Sequence, residues 1–368
     1  MFFGNLINWL LLSIAFTSSE PIKSTTLPIV ALISDSFNVN KLRKYCEEVY
    51  FSNERRFCDE DFSILKKEKV KFPENFAQLI EEGPIPNEQR EYLIDGWRWH
   101  TMSVLRDLNR FSKVLSKSKQ NIVKTSQDTK WFIFSHSLSA PNTNSDRESE
   151  ITTQRTVMKV IQRVNSCYDF VVGFNWRGLL HVEKDIFFPW LDGVLPKNDG
   201  KYKKKNRNRK FNVYNEHQAI ESLWKEMDVV CRRMSTLYIA KPMKSDSTNK
   251  VSEKVLTDIA HLEIIVNKMI LVIVKMRNLQ QFVYMPIISA CATKSEQEIF
   301  NRRVIQKLGL LDSQVHIVSM FEAIKDQPQE VKLFNQQIPA FARKLIPLWR
   351  KKLYLSKSRA LDCSYPYE

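Results

Sequence analysis
The chain has 368 residues with a formal net charge of +15, 43% apolar residues and only 8 glycines. That length carries one large domain or two small ones with ample core, and the scarcity of glycine argues for helix over strand. Its six cysteines, at 46, 58, 167, 231, 291 and 363, show no C-x-x-C spacing and no His/Cys cluster, which excludes a zinc ribbon or a thioredoxin-like motif.

The first twenty residues, MFFGNLINWLLLSIAFTSSE, place an apolar run before Thr17, Ser18 and Ser19. They read as a signal peptide over 1–20, which would send the chain to the secretory pathway; no Lys or Arg precedes the run, so a docked N-terminal segment and a cytoplasmic protein are the alternative. In an oxidising compartment Cys46 and Cys58 are the first disulfide pair to test. Residues 21–94 are polar, with Pro73, Pro84 and Pro86 between short helical pieces, and carry no recognisable chemistry. Four long helical patterns follow: Asp95 to Ser118, Ile151 to Leu191 with a break near Gly173, Val213 to Leu237, and Val251 to Tyr284 stopped by Pro286. They imply an all-α fold, an up-down four-helix bundle with extra N- and C-terminal helical segments. The bundle is expected over 95–323 and a basic tail over 324–368, whose amphipathic stretch IPAFARKLIPLWRKKLY is interrupted by Pro347. Between the second and third patterns lies KNDGKYKKKNRNRK, residues 197–210. It reads as a solvated linker, with contact to an anionic surface as its functional alternative; having no interleaved aromatics beyond Tyr202, it argues against nucleic acid.

Helical periodicity sorts the ionisable groups by face. In HVEKDIFFPW, residues 181–190, the conspicuous pair His181 and Asp185 points about 160° away from Glu183. Glu183 itself lies on the apolar stripe with Val172, Trp176, Leu179, Ile186, Phe187 and Trp190. On the first pattern His100 falls among Leu93, Trp97, Val104 and Phe111, with Asp107 on the same face; on the third, His217 joins Val213, Ile220 and Trp224, with Glu221 at the stripe's edge. Two imidazoles and a carboxylate on apolar faces form a candidate iron or zinc site, and the plain alternative is a hydrogen-bonded polar cluster inside a helical core.

These stretches, WRWHTMSVLRDLNRF, LLHVEKDIFFPWL and EHQAIESLW, resemble the hemerythrin-like (HHE cation-binding) domain family, and KMRNLQQFVYMPII repeats the ending of the second pattern with Pro286 matching Pro189. The resemblance spans roughly 95–321 and implies a four-helix bundle around non-haem iron, with His100, Glu183 and His217 on ligand positions. It also implies departures: Leu179 stands where the second helix should carry histidine, Met276 and Gln280 where the fourth should carry His and Glu, and Glu221 where oxygen carriers have a second histidine. The expectation is therefore a hemerythrin-like bundle that is no efficient di-iron carrier. It is either metal-free, acting as a binding module or scaffold, or holds one non-haem iron or zinc at His100, Glu183, His217 and Glu221. No nucleophile–base pair or phosphate-cradling glycine loop points to an enzyme.

Overall fold
Helix is the only regular structure among the described residues of the computed structural model, which are 83–86, 89–136, 143–195, 213–239 and 245–364. The expected signal segment, the basic linker 197–210 and the pair Cys46 and Cys58 lie outside them, as does most of 21–94. We number the helices α1 (Asp95–His136), α2 (Thr143–Tyr168), α3 (Arg177–Val182), α4 (Phe188–Val194), α5 (Val213–Ile239) and α6 (Ser245–Leu279). There follow α7 (Met285–Cys291), α8 (Lys294–Leu308), α9 (Leu310–Ile324), α10 (Pro328–Gln337), α11 (Ala340–Trp349) and α12 (Leu355–Ser358). The all-α expectation holds.

The expected boundaries were too cautious. Helix α1 runs on to His136, well past Ser118, and α2 starts at Thr143, ahead of the expected Ile151. Gly173 makes no break: π-helical turns at Asp169–Trp176 carry the chain from α2 into α3. Nor do the prolines stop their helices. Wide five-residue turns, Glu183–Phe187 and Gln280–Tyr284, precede α4 and α7, each of which has proline in its second position. In both turns the N–H of the next residue bonds five back, Phe188 to the Glu183 carbonyl and Met285 to the Gln280 carbonyl. Proline has no N–H and its ring collides with the carbonyl four residues before it, so one widened turn lets the helix pass. Pro347 sits inside α11, followed again by a π turn, Arg350–Tyr354. The repeat read from Pro189 and Pro286 is thus a repeat of backbone geometry, with Glu183 and Gln280 at equivalent places 97 residues apart.

The chain divides into two compact units. The first draws on the described parts of Met1–His100, His181–Asn208 and Arg277–Lys351. Its centre is aromatic: Phe187 meets Trp97 at 3.8 Å between ring centroids, Phe188 at 5.1 Å, and Tyr284 and Phe300 at 5.9 Å. The extended residues ahead of α1 have no helical partners, so side-chain amides serve them: Leu93 N–H donates to Gln297 Oε1 at 2.8 Å, and Asn301 donates to the Leu93 carbonyl. Thr293 and Glu296 close a capping box at the start of α8, and Gly309, at φ 76°, joins α8 to α9 in a conformation that a side chain would strain.

Helix α11 packs on α9. Its end is held by Glu322, which accepts from Arg350 Nε at 2.7 Å and from Lys325 Nζ at 3.3 Å. Burial alone would raise the Glu322 carboxyl, but these two cations outweigh it and hold the group below its ordinary value of 4.5. A depressed carboxyl contributes stability that is complete above the unfolded value and disappears as pH falls through the folded one. We therefore expect acidification below pH 4.5 to loosen the end of α11, read as faster amide exchange at 349–351, and Glu322→Gln to remove that pH dependence.

The second unit draws on Thr101–Leu180, Arg209–Met276 and Lys352–Glu368. Single buried stripes run along its long helices: Val104, Leu108, Phe111 and Leu115 on α1; Val157, Ile161, Val164 and Cys167 on α2; Ile220, Met227, Cys231 and Met234 on α5; Ile259, Leu262, Val266 and Met269 on α6. Polar pairs report which helices are neighbours. Asn165 donates to Ser235 and Tyr168 to Asp228, joining α2 to α5. Arg233 pairs with Asp258 and Glu226 meets His261, joining α5 to α6. Lys119 meets Glu263 and Ser112 meets Asn267, joining α6 back to α1. In each couple a rising number on one helix meets a falling number on the other, so the neighbours are antiparallel. The chain's last described residues dock on this unit, with Arg163 donating to the Ala360 carbonyl and Lys117 to that of Cys363.

Candidate functional site
Glu183 opens the wide turn before α4 and has no exposed surface. Trp97 Nε1 donates to its Oε1 at 2.7 Å, at the short end of the normal range, and Gln280 Nε2 donates to the same oxygen at 3.4 Å. These donors come from α1 and from the equivalent turn before α7. The indole lies against Phe187 on one side and Tyr284 on another, so its N–H is held in place by ring packing. A buried carboxylate without such donors would cost several kcal/mol, about as much as a small domain's whole margin of stability.

His100 is equally enclosed, 3% exposed, and its ring lies 4.5 Å from that of His316 on α9. His316 is buried too, on a stripe with Val315, Val318 and Met320. The outward assignment of the conspicuous pair holds: His181 and Asp185 are exposed, and Asp185 pairs with Lys307 of α8 at 2.8 Å, a hydrogen bond that holds its carboxyl below the ordinary value.

The four expected ligands divide between the units. His100 and Glu183 belong to the first, His217 and Glu221 to the second. His217 is buried edge-on to Trp176 at 6.5 Å, whereas Glu221 is half-exposed. The second unit keeps its own buried carboxylate, Asp107, which accepts from Asn175 Nδ2 at 3.0 Å and from Arg106 at 2.6 Å. Leu179 and Met276, where the family resemblance calls for histidines, are buried hydrocarbon and thioether. Among the described residues, no group of three or more His, Cys, Asp or Glu side chains has an arrangement suited to a metal ion.

Reasoning from sequence missed three participants. Trp97 counts as an apolar member of the His100 stripe, although its indole is a donor only and turns that donor on Glu183. Gln280 reads as a lost ligand, whereas its amide replaces a missing charge by a hydrogen bond. His316 was invisible, although a histidine inside LLDSQVHIVSMF carries the same buried-stripe signal that identifies His100. The sequence matches no family model, and comparison with curated proteins and with solved structures finds no significant similarity.

Proposed function
We propose that the chain is a hemerythrin-like helical protein that has given up the family's di-iron chemistry and works as a metal-free binding module or scaffold. The observation that carries this reading is the satisfaction of Glu183 by protein donors, the Trp97 indole and the Gln280 amide. In a metal site a buried carboxylate is neutralised by the cation. Here an indole and an amide serve it, and the position equivalent to Glu183 in the repeat carries no charge. A two-iron centre does not fit these residues, because Leu179 supplies no donor at all and Met276 only a soft thioether. The antiparallel neighbours α1, α2, α5 and α6 support an up-down four-helix bundle as the core of this scaffold.

The competing reading places one non-haem iron or zinc on His100, Glu183, His217 and Glu221. The buried imidazoles favour it, since neutral imidazole suits both metals. Elemental analysis of the purified full chain after iron and zinc reconstitution, beside Glu183→Leu, separates the two. We expect no metal above background in either protein. About one metal per chain that vanishes in Glu183→Leu would replace the scaffold reading by a mononuclear site, and about two irons would overturn both.

A further inference from the structure
Helix α11 has two apolar faces, and the described residues cover one of them. Ala342 and Ile346 are buried, 5% and 6% exposed, where the helix packs on α9. Phe341, Leu345 and Leu348 are 38%, 37% and 51% exposed. Their spacing of i, i+4 and i+7 confines them to a stripe about 60° wide on the outer side of the helix. Lys344 falls about 40° beyond one edge of that stripe, and Lys351 follows in the π turn after the helix; both are exposed. The surrounding sequence is one-sided in charge: from Val331 to Leu361 there are eight Lys and Arg and no Asp or Glu.

We propose that α11 is a peripheral docking element for an anionic bilayer surface, laying Phe341, Leu345 and Leu348 among the lipid chains while Lys344 and Lys351 meet the headgroups. A short helix with Leu and Phe on one side and lysines beside them is built to lie in the plane of such an interface. The charge selects this occupant over a second copy of the chain: in a two-fold pair the same patch meets itself, bringing the lysine flanks of both copies together. It also selects against a neutral surface, which would offer Lys344 and Lys351 no counter-charge. No helix among the described residues is long and apolar enough to cross a membrane, so α11 would rest on the bilayer without spanning it.

Flotation of the full chain with phosphatidylcholine vesicles, with and without phosphatidylserine, tests the proposal. Every variant keeps residues 1–20 and 197–210, so a difference between variants belongs to α11. The wild-type protein is expected to float with the phosphatidylserine vesicles, and to do so less as salt rises. Lys344→Gln with Lys351→Gln should weaken binding about thirty-fold, roughly five-fold for each cation. Leu345→Glu with Leu348→Glu should abolish it. The lysine pair is solvent-exposed and keeps the test decisive should the leucine pair fail to fold, as circular dichroism would show. Equal affinity for both vesicle types, no vesicle binding, or lysine variants that bind as wild type would each overturn the proposal. So would a dimer that the leucine variants disperse while vesicles bind neither protein, since that would assign the stripe to a second copy.

Discussion

Trp97→Phe is expected to destabilise the protein by about 3 kcal/mol, well beyond the loss of a neutral hydrogen bond. The substitution keeps an aromatic ring beside Phe187 and Tyr284 and removes the N–H that reaches Glu183 at 2.7 Å. Glu183 has no exposed surface, so water cannot replace the lost donor, and the 3.4 Å bond from Gln280 is too long to compensate. Part of the cost is therefore the desolvation of a carboxylate that has lost its best partner. The other partner gives the control. Glu183→Leu strands the indole N–H and takes the acceptor of the long Gln280 bond, costing about 1–3 kcal/mol. With both substitutions the indole and the carboxylate are gone together and only the weaker Gln280 contact stays lost, so the double variant should be less destabilised than the sum of the singles by at least about 1 kcal/mol. Urea unfolding followed by circular dichroism measures all three. Strictly additive costs would show that the indole and the carboxylate do not act as a pair, and the argument for a protein-satisfied, metal-free Glu183 would go with them.

The residues that periodicity could place are those whose neighbours on their own helix decide their fate. Glu183, His100 and His217 are buried because each shares a stripe with large apolar side chains, and one helix is enough to see this. The repeat of Pro189 and Pro286 was likewise legible, although its meaning was not. Proline alone reads as a stop, and only the three-dimensional chain shows that a widened turn absorbs it. The long reach of α1 to His136 escaped notice because KTSQDTK, residues 124–130, interrupts its apolar periodicity, and the early start of α2 because TNSDRESE holds no apolar residue. Partners contributed by other segments were out of reach. Nothing local in WRWH says that Trp97 donates to residue 183, and nothing in QPQEVKLF says that Glu330 returns to residue 98.

That last contact carries the largest effect expected in the first unit. Arg98 is 6% exposed, and its guanidinium forks onto both oxygens of Glu330 while also reaching Asp95 Oδ1 at 3.3 Å. Burial works against the charged guanidinium, but Glu330 and Asp95 outweigh it and raise its pKa, so the cation persists across the accessible pH range. The same carboxylates accept further bonds, Trp99 Nε1 to Glu330 at 2.8 Å and Gln337 Nε2 to Asp95 at 2.5 Å, which tie both ends of α10 to the first turns of α1. Arg98→Met preserves the volume of the stem and takes from two carboxylates the cation that they share. Removing one member of such a buried ionic group costs about 3–5 kcal/mol. Circular dichroism in urea should register this as a lowered midpoint, and amide exchange should place the loss of protection in α10. The discriminating variant is Arg98→Met with Glu330→Gln and Asp95→Asn, which removes the stranded charges with the cation. It should recover at least about half of the loss, because a buried network contributes less by existing than it costs when broken. A triple variant as unstable as Arg98→Met would mean that Arg98 acts through the packing of its stem, and that α10 is held to α1 by Phe334 against Trp99 at 5.2 Å more than by charge.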